Sequence, residues 1–308
     1  MLVSKRDAFL NRLYEYAKQD KNIVLLSDDF GSPVLDKWKS ELPNQFINVG
    51  IAEQNLISIA SGLALSGKRV YCYAISPFLV MRAYDQIRID ICQMNLPVTL
   101  IGVGTGISYG EAGDTHYTLQ DIALMRQLPN IEILSPSDST WADRMVSAIV
   151  SSNKPFYVRL DRTSSEMSEI SYWSELGYFM PLRYGLDVRI ISTGNMVKVA
   201  KSVAKILREN NIYSTVNDVF KIKPYSWAEC ILKDEGNQKI VTIEEQYVDG
   251  GLGTILLEKM NELKINIPLK RFGFPLSFID TYGTREEMLS KVGLDAETIA
   301  SKIVGMVD

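Results

Sequence analysis

A carboxylic acid, an aromatic stripe and the chain's single imidazole each follow a short apolar run in the first 120 or so residues. The carboxyl is Glu53, in NVGIAEQNLISIASGLALSGKRV (residues 48–70), which reads as strand end, Gly50 turn, helix and Gly67 stop. The helix is built for burial: Leu56, Ala60, Leu63 and Ala64 share a face that Ile57 and Ile59 widen. Two roles are open to Glu53. It complements the positive end of the helix dipole, or it faces a ligand in the crevice at a strand-to-helix turn. The stripe is Phe78, Met81 and Tyr84, at helical spacing in ISPFLVMRAYDQIRIDI (residues 75–91), and is either core or a stacking wall for a flat heterocycle. The imidazole, His116, sits in GVGTGISYGEAGDTHYTLQDIA (residues 102–123), behind Gly102, Gly104, Gly106, Gly110 and Gly113. Such glycine density lets backbone approach a ligand closely, and it equally suits a plain surface loop. It is not the dinucleotide fingerprint, because no helix opens directly behind it. A Ser–His–Asp triad would have to use His116, and no G-x-S-x-G elbow accompanies it. If the three groups meet at one sheet edge, a carboxyl, an aromatic wall and a His-bearing loop suit an aromatic cofactor with a ring nitrogen.

The elements that must position them alternate. Strands are expected at 22–27, 46–49, 69–74, 98–103, 131–134 and 156–160, with helices near 5–19, 53–66, 79–94, 119–126 and 138–151. A second series has strands at 187–193, 213–219, 239–245 and 268–272, helices at 196–210, 225–234 and 251–263, and two terminal helices. Short apolar strands between helices predict sheets covered on both faces. The expected fold class is therefore α/β, with two doubly wound, mostly parallel-sheet domains. They are expected at 1–165 and, smaller, at 185–308, with a polar and aromatic linker at 166–184.

Composition narrows the functional classes. The 308 residues are 46% hydrophobic and 23% charged, ordinary for a globular protein and long enough for two cores. A net charge of -4 without any basic block argues against a nucleic-acid or anionic-membrane binder. The first residues form a charged amphipathic helix and not a signal peptide, and no apolar run has membrane-spanning length. Cys72, Cys92 and Cys230 read as buried thiols of a reducing, cytoplasmic compartment. One histidine leaves no His-rich metal site, so no metal ligands are expected in this chain.

Together these motifs resemble the transketolase family of thiamine diphosphate enzymes, across its pyrimidine-binding and C-terminal domains. NVGIAEQN with ASGLALSG is similar to the family's glutamate motif, FLVMRAYDQIR to its aromatic segment, and YGEAGDTHYTLQDIALMRQLPNIEILSPSD to its substrate loop. IISTGN, IKP, IVTIEEQYVDGGLG and GLDAETIASKI match in order in the second domain. The resemblance implies that Glu53 hydrogen-bonds the aminopyrimidine nitrogen of thiamine diphosphate, favouring the imino tautomer that deprotonates the thiazolium carbon. It implies that Phe78, Met81 and Tyr84 pack on the pyrimidine, with Met81 where an aromatic ring is usual, and that Asp28 or Asp29 lies near the cofactor. It places Arg6, Ser32 and Arg162 at a sugar phosphate and His116 at the ketose hydroxyls and donor carbonyl.

Family enzymes hold the diphosphate and Mg²⁺ through a Gly-Asp-Gly segment and a downstream Asn, and no such motif precedes the glutamate motif here. The expectation is a split transketolase: this chain with a separate diphosphate-binding subunit, self-associating into an α2β2 heterotetramer with sites at subunit interfaces. Gly104 stands where a phosphate-binding His is usual, Ala112 where an Asp contacts a hydroxyl, and Asp114 replaces a Pro. Gly104 and Ala112 are expected to leave room beside the anion, and the losses suggest a modified or different sugar. The readings are a ketol transferase subunit, a deoxyxylulose-phosphate-synthase-like or 2-oxo-acid-decarboxylating subunit, and a non-catalytic structural homologue. Retention of Glu53 and His116 argues against the last.

Overall fold

The computed structural model describes residues 3–165, 179–183, 185–234 and 239–307. Seven strands form the first sheet, in the spatial order Lys221–Lys223, Glu132–Leu134, Phe156–Leu160, Val98–Val103, Arg69–Ile75, Ile23–Ser27, Phe46–Asn48. The six strands from the first half are mutually parallel. Strand Lys221–Lys223 arrives from the second half and pairs antiparallel with Glu132–Leu134. Ile23–Ser27, Val98–Val103 and Phe156–Leu160 are buried along their whole length, as strands covered on both faces must be.

One face carries helices Lys5–Ala17, Pro33–Glu41 and Ser139–Val150, packed around Trp38, Trp141 and Phe220. The other carries helix Glu53–Leu65 and the helical segment 78–93. Helices Ser226–Leu232 and Leu252–Leu263 of the second half join that same apolar cluster through Trp227, Ile231 and Leu256. The two halves therefore share a core.

The second sheet has five strands, ordered Leu269–Phe274, Ile240–Tyr247, Val188–Ser192, Ser214–Asp218, Met180–Arg183, and only the last is antiparallel. Helices Met196–Glu209, Arg285–Lys291 and Ala296–Val307 cover it, and Ile107, Tyr117 and Leu119 of the first half enter their cluster. The α/β class with parallel-dominated sheets is the expected one.

Several elements differ from expectation. The helix expected near 79–94 is two wide π-helical stretches, Phe78–Arg82 and Ile87–Gln93, about a single α turn, Tyr84–Gln86. Wide turns of this kind re-aim side chains and recur at functional sites. Helix Pro33–Glu41, with proline in its first turn, was not anticipated, nor was the pairing of Val3–Ser4 with Ser164–Ser165. Of the expected linker at 166–184, residues 166–178 and 184 lie outside the described residues, and Met180–Arg183 is an edge strand. Cys72 and Cys92 are buried, but Cys230 is exposed, because its short helix turns the other face inward through Trp227 and Ile231. Among the described residues no helix is long and apolar enough to cross a membrane.

Candidate active site

Glu53 opens helix Glu53–Leu65 and is 2% exposed. Gly50, at φ +75, makes the turn from strand Phe46–Asn48 toward it. Both Glu53 carboxylate oxygens accept from one guanidinium nitrogen of Arg82, at 2.9 and 2.8 Å. Arg82 keeps about half of its side chain in solvent and lies over the Phe78 ring, 4.7 Å from its centroid. Phe78 in turn meets the His116 ring edge-on, with centroids 5.0 Å apart. Glu53, Arg82, Phe78 and His116 form one contiguous group beyond the carboxyl ends of parallel strands, where open α/β sheets bind ligands.

Asp28 follows strand Ile23–Ser27, is 6% exposed, and has a buried Oδ1 with no hydrogen-bond partner among the described residues. Burial, and next the nearby Glu53 charge, push its pKa up to about 6. Asp29 differs. It is exposed, sits at φ 69, and accepts from Asn48 Nδ2 at 2.7 Å. Of the two candidate aspartates, Asp28 is the one beside Glu53.

The aromatic stripe divides. Phe78 faces Arg82 and His116, whereas Met81 and Tyr84 pack half-buried against the core beneath. The Tyr84 hydroxyl donates to the Leu124 carbonyl at 3.1 Å. The broken helix explains the division, since helical spacing no longer puts residues 78, 81 and 84 on one face.

At the far side of the crevice, Arg6 pairs with Asp7 at 2.8 Å, and Ser32 donates to the same carboxylate at 3.2 Å. Arg162 is exposed and stacks its guanidinium on the Tyr109 ring, 4.6 Å from the centroid. Tyr109 is within electrostatic reach of Arg6 as well as Arg162. The expected room at Gly104 is absent. A Cβ there would lie 2.0 Å from Tyr109 Cε2, so the tyrosine ring already fills the space. Ala112 is exposed on the loop. Asp114 is a fastening, with its carboxylate accepting the Ile279 amide at 3.2 and 3.3 Å and tying the His116 loop to the second half.

Arg82 and Tyr109 were missed in the sequence. In the sequence nothing sets Arg82 apart from the chain's other cations. The signal for Tyr109 was available: an aromatic residue five positions beyond a glycine that has lost its expected ring.

Residues 2–167 match the model of the transketolase pyrimidine binding domain, and residues 177–299 that of the transketolase C-terminal domain. The chain is 34% identical to one of the subunits of the apulose-4-phosphate transketolase of Phocaeicola vulgatus, over 99% of this chain and 98% of that one. It is 35% identical to 1-deoxy-D-xylulose-5-phosphate synthase of Microcystis aeruginosa over 96% of its own length, and spans 47% of that longer enzyme. Among solved structures, a split-gene transketolase in an inactive β4 tetramer superposes with a TM-score of 0.88 at 29% identity, covering 99% of this chain and 98% of that one.

Proposed function

The chain belongs to the transketolase family, and on that premise we propose that it is one subunit of a split, thiamine diphosphate-dependent transketolase that moves a two-carbon ketol unit between sugars. Its correspondence over nearly full length with a single subunit of a transketolase supports a two-chain enzyme. In this reading a partner subunit supplies the domain that holds the diphosphate and Mg²⁺, the assembly is an α2β2 heterotetramer, and the enzyme works in the cytoplasm. Residues 1–165 serve the pyrimidine and 185–308 form the C-terminal domain.

The observation that carries the reading is the buried Glu53 beside Asp28, Arg82, Phe78 and His116. These residues fit a flat, nitrogen-bearing ring: a buried carboxyl, an orphaned carboxylate oxygen on Asp28 and an aromatic edge. Thiamine diphosphate supplies, when bound, the carbon nucleophile that carries the ketol unit. Glu53 would share a proton with the pyrimidine nitrogen at its carboxylate, and Arg82, half in solvent, has room to give way. Phe78 offers a packing surface, and Asp28 an unpartnered oxygen near Glu53. His116 would bind the ketose hydroxyls, while Arg6, Ser32 and Arg162 would hold the phosphate or other anionic end of the sugar.

The test is reconstitution with the diphosphate-binding subunit. The mixture should transfer a ketol unit from a ketose phosphate, and this chain alone should bind the cofactor weakly and turn over nothing. Full activity of the isolated chain would sink the two-subunit reading. The likeness to deoxyxylulose-phosphate synthase favours one second reading, a decarboxylating enzyme. Release of CO₂ from pyruvate without ketol transfer would select it.

A further inference from the structure

Gly104 and Tyr109 form one device. Gly104 adopts φ +86, a backbone region that side chains disfavour, and a Cβ there would meet Tyr109 Cε2 at 2.0 Å and Cδ2 at 2.6 Å. The position is thus kept bare to seat the tyrosine ring. That ring does two further things. It carries the Arg162 guanidinium on its face at 4.6 Å and touches the His116 ring at 5.8 Å, inclined by 62°. Its hydroxyl is buried and has no hydrogen-bond partner among the described residues. Arg162 and, less strongly, Arg6 act on it electrostatically, opposed by Asp161 and Asp28.

A buried phenol without an acceptor is an uncompensated desolvation, and such groups in native proteins are normally completed by something. A phenol beside one stacked guanidinium and within electrostatic reach of a second is completed by an anion, because a guanidinium brings forked N–H groups that match phosphate or carboxylate oxygens. Neighbouring Ser32 donates toward the same corner, at present to Asp7.

We propose that Tyr109 is a specificity-determining residue whose hydroxyl donates to a phosphate-like anion held between Arg6 and Arg162. That the anion belongs to a sugar rests on the transketolase reading; the anion site itself does not.

The experiment uses inorganic phosphate as probe on the full-length chain, with binding followed by ³¹P line broadening and calorimetry. Wild type should bind phosphate at millimolar concentrations. Tyr109→Phe, which keeps the ring and therefore the Arg162 stacking, should weaken binding about tenfold, the loss of one hydrogen bond to a charged group. Gly104→Ala should weaken it at least as much by displacing the ring. In the reconstituted enzyme, the Tyr109→Phe loss should fall on KM for a phosphorylated sugar and spare that for its unphosphorylated counterpart. Phosphate binding equal in wild type and Tyr109→Phe, or absent from wild type, overturns the proposal. Binding that falls in Tyr109→Phe while the reconstituted enzyme transfers no ketol unit keeps the anion site and overturns the transketolase reading instead.

Discussion

Asp28 and Asp161 stand at the same edge of the same sheet, one just past strand Ile23–Ser27 and the other just past Phe156–Leu160, and both are buried. Their surroundings are opposite. Asp161 accepts from Arg285, Asn195 and the Thr163 amide, each at 2.6 Å. Burial alone would raise its pKa, but Arg285 and Lys5 hold it well below the usual carboxylate range. Arg285 also binds Glu245 at 2.9 Å, and Glu245 accepts the Ile107 amide at 2.9 Å. Lys5, hydrogen-bonded to Asn195, is pushed down to about 8 by its burial. Asp28 has no such company for its Oδ1. At one end of the edge the second half supplies most of the counter-charge and closes a joint. At the other the Asp28 carboxylate keeps one oxygen without a partner among the described residues. A buried charge with partners reads as structure, and one without them reads as a site.

Four substitutions break or sharpen that contrast. The largest effect belongs to the open end. Glu53→Gln should lower deuterium exchange at the cofactor's reactive carbon in the reconstituted enzyme by about 10²–10⁴-fold, the usual worth of a positioned acid–base group. Its urea midpoint should stay near wild type, and unchanged exchange would return Glu53 to a helix-dipole role. At the closed end, Arg285→Ala leaves Asp161 and Glu245 buried without their shared cation. It should cost about 3–5 kcal/mol in urea unfolding, because removing one member of a buried pair strands the other.

Next, Arg162→Ala should raise KM for an anionic sugar by about one to two powers of ten, following the roughly 1.5–3 kcal/mol of a charge-assisted hydrogen bond. KM for a neutral analogue should hardly move, and equal effects on both would make Arg162 a support for the fold. The smallest effect is on pH dependence. The folded chain keeps the Asp28 proton up to about pH 6, whereas the unfolded chain releases it near 3.8. Folded protein therefore binds more protons in that window, and this group's contribution to stability falls as pH rises through it. Asp161 runs the other way, its contribution present above pH 3.8 and lost as pH falls. Asp28→Asn should flatten the first slope in urea midpoints taken across that window and leave the acid limb intact.

The open end was more legible in the sequence than the closed one. Glu53 announces itself because a carboxyl interrupts a strand–turn–helix pattern that is otherwise apolar, and His116 because it is the only one of its kind. The alternation of strands and helices gave the fold class, since burial on both faces leaves continuous apolar runs. The Arg285–Asp161 joint was invisible because its partners are 124 positions apart and neither lies in a patterned segment. Strand Lys221–Lys223 was invisible for a related reason. Its sequence is polar and short, and its partner strand, Glu132–Leu134, lies in the other half. The split of Phe78 from Met81 and Tyr84 was hidden because periodicity assumes a regular helix, and this one is widened.

That small strand from the second half has a colloidal consequence. Without it, Glu132–Leu134 would end the sheet with a row of bare amides and carbonyls, the usual template for adding a foreign strand. With it, the outermost segment is only three residues long, is flanked by Pro224, and is bounded by lysines. Lys221 pairs with Glu132 at 2.7 Å, and Lys223 donates to the Arg126 carbonyl at 3.2 Å. Short, lysine-rich edges resist intermolecular β-pairing. The chain thus carries its own protection against sticking to copies of itself through this margin of the sheet.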